Sequence, residues 1–121
     1  MSTNLPSFIT KTIATAASGA GTAVYDMRGI ERASLQIDSV FSNAGDTDAI
    51  TLKISNDNTN FLAFSTNKTV TLTGGTTDHA LFELGPIDYA YLQVSYAAPS
   101  AHTVSLSGTL YAVATIVQTI S

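Results

Sequence analysis

Two histidines, nine acidic residues and a run of asparagines are the groups with which this 121-residue chain could do chemistry. A hydrolytic triad needs a hydroxyl, an imidazole and a carboxylate brought into register. Neither His79 nor His102 has a serine or an acidic partner at a spacing that suggests one. Asp78 stands beside His79 after Gly74-Gly-Thr-Thr77, which reads as polar turn chemistry. There is no cysteine, so disulfides, thiolate nucleophiles and cysteine-based zinc sites are excluded together. The expectation is a protein that is not an enzyme and carries no cofactor or metal.

The remaining polar clusters read as loops. Asn56, Asp57, Asn58 and Asn60 offer oxygens of the kind calcium takes, but the spaced carboxylates and closing Glu of an EF-hand are missing. A turn closed by its own Asx side chains is the preferred reading. Asp46 and Asp48, with Asn43 nearby, make a second acidic loop, read as solvated, which meets the Asn-rich turn only if a sheet brings the two together. Tyr89, Tyr91 and Gln93 share one face of a strand. Turned outward, that face could stack on sugars, although packing against a second sheet or a subunit is preferred. Asn67-Lys-Thr69 matches a glycosylation acceptor and is assigned to chance.

Strands must position all of these residues. Ile50, Leu52 and Ile54 alternate with Thr51, Lys53 and Ser55, the pattern of a strand with one buried and one wet face. The same alternation recurs at Ala33–Ile37, at Ala80–Leu84, at Ala90–Tyr96 and from Val104 to Leu110, and shorter extended segments are read at 8–17, 22–27, 61–64 and 70–72. Gly, Pro, Asn and Asp punctuate them, and no 3.6-residue stripe is present. Short strands about every ten residues predict an all-β antiparallel β-sandwich or jelly roll of about eight strands. Residues 1–8, with Pro6 and no periodicity, read as a flexible arm, and 9–121 as one domain.

Charged residues make up 12% of the chain, against about a quarter in ordinary domains, and the net charge is −4. With five cations there is no basic stripe for phosphates, so nucleic acid is excluded as a partner. No window of eighteen apolar residues suggests a membrane span and no signal-like segment opens the chain, so synthesis in the cytoplasm without export is expected. From Tyr111 to Ile120 the apolar positions are nearly continuous. As a free edge such a strand aggregates, so it must be covered by the sandwich or by another subunit. Cover by a subunit is the preferred expectation, which makes Phe8, Tyr111, Val113, Ile116, Val117 and Ile120 candidate interface residues.

Four segments together resemble small bacteriophage virion β-sandwiches: capsid decoration proteins, head fibres and tail-associated modules. They are Thr10-Lys-Thr-Ile-Ala-Thr-Ala-Ala17, Tyr25-Asp-Met-Arg-Gly29, Leu52-Lys-Ile-Ser-Asn-Asp-Asn-Thr-Asn-Phe61 and Ile87-Asp-Tyr-Ala-Tyr-Leu-Gln-Val-Ser-Tyr96, within residues 10 to about 112. Such proteins often carry Ser-Asn-Asp-Gly-x-Asn-Trp at the third segment. Here Asn58 replaces the Gly, and Phe61 replaces the Trp as an aromatic core anchor. The resemblance implies a structural virion protein, most naturally a capsid decoration (cement) protein on the virion surface, assembled in the host cytoplasm. Its partners would be itself, as a homo-oligomer with a trimer expected, and the phage capsid or other virion proteins. The alternative is a carbohydrate-binding or adhesion module of a fibre or tail, against which the absence of Trp counts. Fold alone does not decide between them.

Overall fold

The computed structural model describes residues 2–64, 68–74, 77–98 and 101–117, with the side chains of 2–6 and 115–117 excepted. Nine strands follow one another: β1 (Ser2–Ala17), β2 (Ala20–Asp26), β3 (Ile30–Phe41), β4 (Thr47–Ser55), β5 (Leu62–Ala63), β6 (Thr69–Thr73), β7 (Thr77–Pro86), β8 (Tyr91–Ala97) and β9 (Val104–Val117). Among the described residues there is no helix. One sheet has the order β1-β9-β3-β7, and the other runs β2-β8-β4, with β5 and β6 sharing the far edge of β4. All pairings are antiparallel. This is the β-sandwich or jelly roll that the spacing of turns predicts.

Alternation dictates the packing. Leu35, Ile37, Val104, Leu106 and Leu110 point inward from one sheet, and Ile50, Leu52, Leu92 and Val94 meet them from the other, each no more than 1% exposed. Each such side chain contributes about 1.5–3 kcal/mol by leaving water. In β1 the alternation breaks: a register shift between Thr12 and Ala14 turns both Ile13 and Ala14 into the core. Tyr25 reaches across the interior until its hydroxyl lies against the backbone of Gly108 in β9, where any side chain would collide with it. Burial pushes the Tyr25 hydroxyl up to about 12.

Two expectations change here. The arm at 1–8 is strand from Ser2 onward, because residues 2–8 pair in register with Val117–Tyr111 of the same chain. From Tyr111 to Ala114 the apolar C-terminal run is no free edge either, since β9 there lies between β1 and β3 with both hydrogen-bonding sides occupied in cis; residues 115–117 pair with β1, and 118–120 lie outside the described residues. The backbone of 111–114 is therefore covered by its own sheet, and only the outward face of that stretch is left to a partner.

Candidate functional site

The sheet faces and the two ends of the sandwich are the places where function can sit. On the outer face of β1-β9-β3-β7, cross-strand rows run Phe8–Tyr111–Ser34–Glu83, Thr10–Thr109–Gln36–Leu81 and Thr12–Ser107–Asp38–His79. The rings of Phe8 and Tyr111 pack on each other, centroids 5.0 Å apart and planes tilted by 57°. Phe8 is 72% exposed, Leu81 65%, Val40 54% and Tyr111 39%, so four large apolar groups stand in water on one face. Hydroxyls and an amide fill the space between them. His79 Nδ1 lies 2.6 Å from Asp38 Oδ1, which also accepts from Gln36 Nε2 at 2.9 Å. Burial pushes the Asp38 carboxyl up, but the bonds from Gln36 and His79 outweigh it and hold it below the usual carboxylate range. Val113, also a candidate interface residue, is half-buried. The side chains of Ile116 and Val117 and all of Ile120 lie outside the described residues.

The opposite sheet shows a more polar outer surface. Arg28, just beyond β2, chelates Asp26 through Nε at 2.9 Å and Nη2 at 2.7 Å, and its guanidinium lies 5.5 Å from the centroid of the Tyr91 ring. Those bonds from Arg28 hold the Asp26 carboxyl down at about 2. Gln93 is half-buried between Val24 and Lys53 on the neighbouring strands. Tyr89 does not join them. The chain bends at Tyr89–Ala90, β8 begins only at Tyr91, and the bend turns the Tyr89 ring into the interior, edge-on to Phe64 at 5.5 Å. The shared Tyr89–Tyr91–Gln93 face expected from sequence does not exist.

The loops fall at opposite ends. Those at 42–46 and 74 are laced by Gly45 N to Gly74 O at 2.8 Å and Gly74 N to Asp46 O at 2.7 Å, and His102 Nδ1 sits 2.9 Å from Asp46 Oδ2. Nine-residue β4 separates this end from the Asn-rich turn, about 30 Å away. The two acidic loops are therefore kept apart, not brought together. Nor is Asp48 a loop residue. It lies in β4 on the inward face with Ile50 and Leu52, fully buried, its Oδ1 accepting from Ala97 N at 2.8 Å and its Oδ2 without a partner. Desolvation raises its carboxyl above the usual range despite that bond.

At the other end Asp57 organises the turn. Its carboxylate accepts from the backbone of Asn60 (2.8 Å) and Thr59 (2.9 Å), from Ser55 Oγ (2.8 Å) and from Asn60 Nδ2 (2.8 Å). Those backbone bonds first, then the side-chain ones, hold it well below the usual carboxylate range. Asn58 takes the left-handed conformation at φ 58°, and Asn56 Oδ1 accepts from Ala90 N at 3.0 Å, tying the turn to the 87–90 bend. Asn56, Asp57, Asn58 and Asn60 are exposed. The aromatic packed against the core here is Phe64; Phe61 is only half-buried and lies outside that cluster.

Between this turn and the 86–89 connection two adjoining hollows of about 530 Å³ each share Ile54, Leu62, Asp88 and Tyr89. Sequence reasoning passed over Leu62, Phe64 and Asp88. Two residues of strand, Leu62–Ala63, are too few for alternation to mark, so period two carries no signal for them. Among the described residues no three His, Asp or Glu side chains are grouped so as to hold a metal ion.

The sandwich is shared with solved structures of distant sequence. It is similar to the SPBc2 prophage-derived protein YomS. That likeness has a TM-score of 0.56 at 10% identity and covers 91% of this chain and 96% of that one. A protein from Sulfurospirillum deleyianum superposes with a TM-score of 0.53 at 10% identity, over 89% of this chain and 98% of its own. The coat protein of Tobacco streak virus does so with 0.51 at 13% identity, over 96% and 90%. At these identities the likeness establishes the fold. No protein-family model matches the chain, and no characterised protein matches it in sequence.

Proposed function

We propose that the chain is a structural, non-enzymatic virion protein, a capsid decoration protein that binds the phage capsid surface as a small homo-oligomer, with a trimer as the expected form. The observation that carries this reading is the outer face of β1-β9-β3-β7, where Phe8, Tyr111, Leu81 and Val40 stand exposed among Thr, Ser and Gln. Exposed apolar side chains gathered on one face mark an interaction surface. The fold supports the same reading, because the strand order β1-β9-β3-β7 opposite β2-β8-β4-β5/β6 is that of a jelly roll, an architecture common in viral capsids. The likeness to YomS and to a viral coat protein agrees with it.

Mechanistically, each copy lays an apolar patch against a neighbour or the capsid, and many copies sum weak contacts across the shell. Assembly would take place in the host cytoplasm and leave the protein on the virion surface. Light scattering over a concentration series tests the oligomer, and sedimentation with capsids lacking the protein tests the partner. A closed oligomer that binds such capsids, and loses both properties in Phe8→Asp/Leu81→Asp while keeping its β-sheet spectrum, supports the proposal. A monomer at high concentration that leaves capsids bare overturns it.

A further inference from the structure

We infer that the groove between the β4–β5 turn and the 86–89 connection binds a neutral saccharide, a sugar ring lying on Leu62 with its hydroxyls toward Asn56, Asn60 and Asp88. The groove arises from an irregular sheet edge. β5 pairs only with Lys53 and Ile54, the β6 ladder on β4 ends at Thr51, and Leu52 N donates to Lys68 O at 3.0 Å between the two. Beside this short edge Ile54, Leu62, Asp88 and Tyr89 line both hollows, and Phe64 and Leu84 line one of them. Their size falls in the range of small-ligand sites.

Three features choose the ligand. First, the floor is apolar and Leu62 stands 69% exposed at its lip, a surface matched to the C–H face of a pyranose. Second, Tyr89 is 8% exposed and its hydroxyl has no hydrogen-bond partner, a buried donor of the kind that is normally satisfied. Third, the rim carries amides and the carboxylates of Asp57 and Asp88, while Lys68, the cation among the described lining residues, gives its ammonium to Glu83 O at 3.0 Å. Such a rim repels phosphate, sulfate and uronate groups and suits neutral hydroxyls. The rim is also preorganised, since Asp57 closes the turn and Asn56 is tied to Ala90 before any ligand arrives.

The test is an amide chemical-shift titration of the intact protein with neutral tetrasaccharides built on glucose, galactose and N-acetylglucosamine, with a tetragalacturonate as the anionic counterpart. Shifts confined to residues 54–62 and 86–90 are expected with at least one neutral sugar. Affinity should fall about tenfold in Leu62→Ser and in Asp88→Ala, the size of one lost contact. Both residues are exposed, and unchanged resonances elsewhere would verify that the variants keep their fold. Tyr89→Phe should weaken binding with the ring retained. No shifts at millimolar sugar, shifts on the outer face of β1-β9-β3-β7 instead, or preference for tetragalacturonate would each overturn the inference. None of these outcomes depends on the oligomeric state.

Discussion

At the scale of single residues the fold places its polar exceptions with clear consequences, and Asp48 is the sharpest. A fully buried carboxylate with one oxygen bonded to Ala97 N and the other bare disfavours its charged form, which is why its proton is held more tightly than in the unfolded chain. The sign of the pH effect follows. The folded state binds the extra proton, so the full stability is present below about 3.9, the unfolded carboxyl value, and is lost as pH rises through the raised folded value. Asp48→Asn keeps an acceptor for Ala97 N and cannot ionise. Its melting temperature should therefore exceed that of the parent at neutral pH and converge on it in acid; a parent that melts higher at pH 7 would refute the buried-charge account. Gly108 makes a complementary case. Adding a methyl group there drives it into the Tyr25 hydroxyl, so Gly108→Ala should cost about 1–3 kcal/mol in denaturant unfolding, and Tyr25→Phe should recover part of it.

At the scale of elements, alternation made most strands legible. The inward sets Leu35/Ile37, Ile50/Leu52, Leu92/Val94 and Leu106/Leu110 could be read from period two alone, because each strand has one wet face. The failures have physical causes. Asp48 shares the parity of Ile50 and Leu52, but a carboxylate inside turn-forming neighbours reads as loop until its buried bond to Ala97 is seen. Period two puts Tyr89 on the face of Tyr91 and Gln93, but a bend, invisible to periodicity, resets the phase before β8. The groove is illegible for a related reason: it lies beside a two-residue edge strand, Leu62–Ala63, which alternation cannot mark. Residues 2–8 lack any pattern of their own and become strand only through a partner more than a hundred residues away. That last pairing changes what a truncation means. Ending the chain at Tyr111 removes the partners of residues 2–7 in β1 and of Ile30–Ala33 in β3. The expected result is loss of cooperative unfolding by circular dichroism, not clean dissociation into folded monomers; a shortened chain that melts like the parent would show that these pairings add little.

At the scale of the whole molecule, the low charge and the placement of apolar groups point to one kind of association. With 12% charged residues and a net charge of −4, the surface has few ion pairs to offer a partner. The outer face of β1-β9-β3-β7 carries Glu83 and the Asp38–His79 pair, and Phe8, Tyr111, Leu81 and Val40 stand exposed beside them. An interface built on such a face takes its free energy from apolar burial, which salt does not screen and which excluded salts strengthen. Raising ionic strength from about 0.1 M to about 1 M shrinks the screening length from about 10 Å to about 3 Å. Oligomer measured by light scattering should persist or increase over that range in sodium sulfate, and Tyr111→Lys should abolish it at every ionic strength. Dissociation on adding salt would place the contact among the charges of the opposite sheet, around Asp26, Arg28 and Lys53, and would leave the Phe8–Tyr111 face without a role in assembly.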